Sequence, residues 1–400
     1  MKSFICAAVM AGLGSGAAFA AGGAAVSVGY QIDPAHDGAA VFKNGFAMPL
    51  TQQWSVNLGG PVSYPVVAKG MVFVTVGNTQ DYGTQMYALD LQTGATVWQK
   101  SISGTYYWSN LAYDGGKLFL VNEDGDLQAF KADKTGKFLW GGQLPNQYSF
   151  ETPPNATGGQ VFLTGAGEGV TLYAVDEKTG NVNWSQEGPA GDSSPAVAAG
   201  SVFVTYPCNY YSYGAVSGSL NWYDDTGCDG GGGANPSYFD KRLYVQDWVT
   251  GDLVLKAKSG KEVGPFAGSS PAAFWKSGTG SDLGFVLYDG NLEAFSVKTN
   301  NISWTFSGDG ELVGSPIVVN DSVVMGSSSG MLYVLDAASG SELWSTNVGS
   351  AIDGGNGPTS GFGVGGGMLL VPATDELSAW TPSTAARQHL PVKYSGSATH

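Results

Sequence analysis

YALDLQTGATVW, residues 87–98, is the stretch that decides the fold. Its first half alternates apolar and polar positions, the period of a strand with one buried face. Thr93-Gly94 then marks a tight reversal, because glycine supplies the positive φ that such turns need. Four residues past the glycine comes Trp98, placed by that spacing on the returning strand. Losing one such buried ring costs roughly 3 to 5 kcal/mol, so this tryptophan is expected to belong to the scaffold.

The stretch recurs. AFKADKTGKFLW ends at Trp140, YAVDEKTGNVNW at Trp184, YGAVSGSLNW at Trp222, AFSVKTNNISW at Trp304 and YVLDAASGSELW at Trp344. A degenerate copy, LVLKAKSGKEVG, puts Gly264 at the tryptophan position. With Trp54 included, successive spacings are 44, 42, 44, 38, 42, 40 and 40 residues, the period of propeller blades of four strands each. Upstream of each hairpin lies an apolar strand (MVFVTV, KLFLVN, QVFLTG, SVFVTY, RLYVQD, SVVMGS), and before that a second marker. It stands at Pro65, Leu111, Pro154, Pro195, Pro236, Pro271, Pro316 and Phe362, with Ser or Thr two places earlier at Ser63, Ser109, Thr152, Ser193, Ser269 and Ser360. Proline cannot continue a central ladder, so it should open the innermost strand of each blade, with the Ser/Thr series around the mouth of a central channel. Near the C-terminus GGGMLLVPA and ELSAWTP lack an outer strand, whereas TQQWSV around Trp54 is an outer strand lacking a blade. An all-β, eight-bladed propeller over residues 51–381, its last blade closed by the N-terminal strand, satisfies both and leaves no long sheet edge free.

The ends and the charge set the compartment. MKSFICAAVMAGLGSGAAFA reads as a signal peptide over residues 1–20, with one Lys, a short glycine-broken apolar run and Ala18-Phe19-Ala20 at the cleavage position. That run is short of the roughly 20 apolar residues of a spanning helix, so no transmembrane segment is expected and the protein is exported, to a periplasm or the medium. Residues 21–50 form a lead segment and 382–400 a polar tail without the repeat. Removing the peptide takes Lys2 and leaves 17 basic against 33 acidic side chains, a net charge of −16. Such a surface argues against nucleic acid as a partner. The only histidines, His36, His389 and His400, lie near the ends, which disfavours histidine catalysis. Cys208 and Cys228 remain as an even pair in an oxidising compartment, so a disulfide between them is expected. It would staple the loop that leads to Gly230–Gly233. Asn122-Glu-Asp124-Gly-Asp126 gathers oxygen ligands, but without the twelve-residue loop and closing Glu of a calcium-binding EF-hand, and reads as a solvated hairpin. Sequons occur at Asn155, Asn183, Asn301 and Asn320.

The pattern Ala-x-Asp-x-x-Thr-Gly-x-x-x-Trp, present as Ala88, Asp90, Thr93, Gly94, Trp98 and as Ala174, Asp176, Thr179, Gly180, Trp184, resembles the tryptophan-docking repeat of the pyrroloquinoline-quinone-like (PQQ-like) propellers, over about residues 50–381. On that resemblance Trp54, Trp98, Trp140, Trp184, Trp222, Trp304 and Trp344 are the docking residues. The family includes quinone- and calcium-dependent alcohol and sugar dehydrogenases, an outer-membrane assembly lipoprotein, and exported propellers without quinone. The dehydrogenase reading implies a site near the channel, for which Trp108, Glu151 and Asp192, each three places before the marker, are the candidates: a ring to stack on a cofactor and carboxylates for a hard cation. This chain lacks the adjacent cysteine pair of many such enzymes and the length for their roofing loops. The assembly-factor reading meets no lipid-bearing cysteine after the signal sequence. The expectation carried forward is an exported, monomeric, non-catalytic scaffold that binds a protein or glycan on one propeller face.

Overall fold

The computed structural model describes residues 26–383, apart from 78–81, 189–191, 207, 228–234, 248–250, 267, 269–270 and 353–360. The expected signal peptide over residues 1–20, Cys228, the glycine run and residues 384–400 lie outside the described residues. What is described is all β, arranged as eight antiparallel sheets. In chain order the blades span residues 66–102, 109–143, 147–187, 196–225, 237–265, 273–306 and 312–347, here blades 1 to 7. Blade 8 takes its three inner strands from residues 363–382 and its outer strand, Leu50–Asn57, from the other end of the chain. Trp54 pairs with Ala379 in that closing ladder.

The repeat's residues make the hairpin and then lock it to the neighbour. In blade 1 the Asp90 carboxylate accepts from the amides of Gln92 and Thr93 and from the Thr93 hydroxyl, the local bonding for which Asp and Thr are favoured in turns. Asp176 does the same in blade 3 toward Lys178 and Thr179, and Asp336 in blade 7 accepts from the amide and hydroxyl of Ser339. Each tryptophan then reaches the next blade. The indole N–H of Trp54, Trp98, Trp140, Trp184, Trp222 and Trp304 donates to the carbonyls of Leu91, Asp133, Glu177, Ala215, Ala257 and Ala337. Those carbonyls lie three residues before the turn glycines, on which the rings rest. A Cβ on Gly94, Gly136, Gly180, Gly218, Gly260 or Gly340 would stand 2.6–2.7 Å from the indole.

Two joints depart from this rule, each for a visible reason. Where Gly264 replaces the tryptophan, Arg242 of blade 5 donates to Val297, the equivalent carbonyl of blade 6. Trp344 faces blade 8, whose outer strand comes from elsewhere in the chain and offers no hairpin glycine; its ring meets Trp380 at 5.7 Å instead.

The inner strands present free edges to the axis, and an unpaired buried N–H is costly. The lead segment satisfies them. Its carbonyls accept from the blades in rotation: Ser27 from Val67, Val28 from Tyr113, Pro34 from Val197, Ala35 from Tyr238, Asp37 from Phe274 and Gly38 from Val318. The Asn155 amide reaches Pro34 from blade 3, and Val364 of blade 8 exchanges bonds with Ser27. Residues 26–40 are therefore an axial plug that touches all eight blades, and Ala39–Ala40 ends it as a short strand parallel to blade 7. Asn155, committed to Pro34 and Pro195, is buried, so its sequon is not a surface acceptor.

Candidate functional site

The plug determines what the channel can hold. Tyr30, on the axis, is buried; its hydroxyl bonds the side chains of Ser315 and Asn235, just before the markers of blades 7 and 5. Its ring meets Tyr64 at 5.7 Å and His36 at 5.6 Å. His36 Nδ1–H donates to the Pro236 carbonyl, 3.2 Å away, and burial lowers the histidine pKa to about 4. Burial raises Asp33 to about 6, and burial with the nearby Asp33 raises Asp37 well above the carboxylate range. A small cavity between the plug and blade 3 is lined by Tyr30, Asp33, His36 and Asn155.

The described members of the Ser/Thr series do not line an open mouth. Ser63, Ser109, Thr152 and Ser193 are buried and latch blades together. Ser63 Oγ accepts from the Thr75 amide, and Thr75 Oγ1 donates onward to the Ser109 carbonyl of blade 2. Thr164 of blade 3 likewise bonds Thr152 and donates to the Ser193 carbonyl of blade 4. One residue further out lie Trp108, Glu151 and Asp192, and here the chain's chemistry is concentrated.

Blade 2 contributes two residues that the marker spacing missed. Ser109 pairs with Asn122, so the next positions outward, Trp108 and Glu123, stand opposite each other. Alternation puts Trp108 and Asn110 on the side of Ala112, which packs toward Phe150 and Ala156 of blade 3. Val121, opposite Asn110, lies in that same layer, so Glu123 shares this side. Asn110 is fully buried and Glu123 is 5 % exposed. Trp108 Nε1, both Asn110 amide atoms and Glu123 Oε2 are buried without a hydrogen-bond partner. Burial, then Glu151 and Asp124, raises the Glu123 pKa to about 8. Burial and Glu151 also raise Asp192, so Glu123, Glu151 and Asp192 form an acidic arc across blades 2, 3 and 4. Glu151 is exposed and accepts from Ser149. Trp108 lies against Tyr106, at 5.7 Å and 27°, and edge-on to Tyr107. The Asn122–Asp126 hairpin is braced internally, Asn122 Oδ1 taking the Asp126 amide and Asp124 the Thr105 amide.

A family model described as outer membrane protein assembly factor BamB matches residues 47–144, 86–214 and 188–357. This chain belongs to that family of PQQ-like propellers. The BamB-like chain is 25 % identical over 322 residues to the outer membrane protein assembly factor BamB of Shewanella oneidensis, covering 74 % of this chain and 70 % of that protein. Among solved structures it is similar to BamB from Moraxella catarrhalis, with TM-score 0.64 and 17 % identity over 83 % of this chain and all of that one. It is also similar to a europium-containing methanol dehydrogenase, with TM-score 0.69 and 15 % identity over 87 % and 89 % of the two chains. A third is the quinohemoprotein alcohol dehydrogenase of Comamonas testosteroni, with TM-score 0.69 and 15 % identity over 90 % and 82 %. These structural likenesses establish the fold.

The quinone and calcium expected on the dehydrogenase reading of the sequence can be tested against the residues present. Among the described residues no three His, Cys, Asp or Glu side chains converge to hold a metal ion. The Trp108 ring is engaged by Tyr106 and Tyr107, and Tyr30 of the plug fills the axis beneath. As placed, these side chains do not form a seat for a planar cofactor on a hard cation.

Proposed function

We propose that this protein is an exported, non-catalytic propeller that binds a protein component of the cell envelope, in the manner of an outer-membrane assembly factor. The observation that carries the reading is the axial plug: the chain's own residues 26–40 take up the inner edges of all eight blades, which leaves recognition to the propeller face around Trp108, Glu151 and Asp192. The family match supports it. A glycan is the alternative occupant of the same aromatic and acidic face.

The test uses the mature protein, immobilised, against detergent-solubilised envelope from its own host. Stoichiometric retention of an outer-membrane assembly component, abolished by charge reversal at Glu151 and Asp192 together, is expected. Dye-linked alcohol oxidation on adding quinone and calcium, with a raised melting temperature, would overturn the reading.

A further inference from the structure

We infer that the buried polar cluster of Trp108, Asn110 and Glu123 on the blade 3 side of blade 2, edged by Glu151 and Asp192, is a receptor for an arginine side chain of a polypeptide partner. This deepens the scaffold reading and rests on it.

Four polar atoms of this cluster lack the bonds that burial demands. Two acceptors, Glu123 Oε2 and Asn110 Oδ1, and two donors, Asn110 Nδ2 and Trp108 Nε1, are buried there with no partner. Leaving such groups unpaired costs about 1 to 3 kcal/mol each, so a ligand that satisfies them gains what the free protein forgoes. A bare cation meets only the acceptors. A guanidinium on a peptide meets both sets: its N–H groups donate to Glu123 and Asn110, and the adjoining peptide carbonyl accepts from Trp108 and Asn110. Arginine presents five donors in a planar fork and stacks on aromatic faces, and the exposed Tyr106 offers its outer face.

Charge selects the same ligand. The Glu151 carboxylate opposes ionisation of both Glu123 and Asp192, and a chain carrying 33 acidic against 18 basic residues draws basic partners by long-range attraction. The exposed Tyr106 and Tyr107 and half-buried Trp108 form the aromatic edge past which the side chain enters. Once the guanidinium is in place Glu123 ionises, and its proton leaves to solvent.

The probe is acetyl-Gly-Arg-Gly-amide titrated calorimetrically into the mature protein, with the citrulline analogue as an uncharged isostere. The arginine peptide is expected to bind at least about tenfold more tightly, the factor that 1.4 kcal/mol supplies. Its heat should vary with buffer ionisation enthalpy, reporting proton release. Glu123→Gln, which keeps the shape and removes the charge, should lose that preference and the proton release together, with an unchanged circular dichroism spectrum. Equal affinity for the citrulline peptide, no binding at millimolar concentration, preference for a neutral oligosaccharide, or arginine binding indifferent to Glu123→Gln would each overturn the inference. Envelope capture that survives Glu123→Gln while the peptide fails removes the arginine receptor and leaves the scaffold reading standing. Peptide binding without any captured envelope protein does the reverse.

Discussion

Gly180→Ala isolates what the indole seats contribute to the ring. Gly180 has φ +76°, and a Cβ there would stand 2.6 Å from the Trp140 ring. Gly200 has nearly the same φ, +79°, but nothing within 4 Å of an added Cβ. Left-handed backbone costs a residue with a Cβ about 1 to 2 kcal/mol, and Gly200→Ala should show that cost alone. Gly180→Ala pays it and also lifts the indole, breaking the Trp140 N–H bond to Glu177, 3.0 Å long and worth about 1 kcal/mol. Lost ring contacts across the blade 2–3 joint add about as much again, from overpacking costs of about 1 to 3 kcal/mol. Gly180→Ala should therefore destabilise by about 3 to 4 kcal/mol, against about 1 to 2 for Gly200→Ala. The assay is urea unfolding followed by far-ultraviolet circular dichroism, comparing midpoints at constant slope. Pairing Gly180→Ala with Trp140→Leu, which empties the space above the turn, should bring the excess down. Equal midpoints for the two alanine variants would refute the docking argument.

Three other outcomes follow from the buried charges and the cysteines. The Glu123 carboxyl has a pKa raised from 4.5 to about 8 in the fold, so its contribution is complete below about 4.5 and is lost as pH rises from there through about 8; Glu123→Gln should flatten the fall of melting temperature across that interval, and an unchanged slope there would sink this. His36 is shifted the other way, to about 4, so its contribution holds above the ordinary histidine range and is lost as pH falls toward about 4; His36→Gln should hold its melting temperature on the acid side, where wild type declines. Cys208 is buried between the second and third strands of blade 4, and we propose that it is bonded to Cys228. That bond would stabilise by about 3 kcal/mol for a loop of this length, and titration of two reactive thiols in the denatured mature protein would exclude it.

Much of the architecture was written in local chemistry. Turn glycines, the Asp and Thr that brace them, alternating strands and a 38–44-residue period all act within one blade, and repetition makes them readable. Even the closure by Leu50–Asn57 could be inferred, because an unmatched outer strand and an unmatched blade can be counted. Arg242 standing in for the tryptophan missing at Gly264 could not: the substitution lies on a different strand and works through a carbonyl of the next blade.

The site divides along the same line. Spacing from the proline marker picked out Trp108, Glu151 and Asp192, because position within a repeat carries them to one end of the ring. Glu123 was hidden in an unremarkable acidic hairpin; only the register Ser109 to Asn122 sets it across from Trp108, although counting that hairpin back from its turn could have found it. The plug had no such signal. Val26–Ala40 lacks the repeat, and its role depends on eight inner edges, distant in sequence, converging on one axis with unpaired amides. The sequence alone determined the blades and their number, since each blade's bonds are local and repeated. What fills the channel, and which acids share a field, was decided by tertiary structure, because those energies arise only when separate blades close around a common centre.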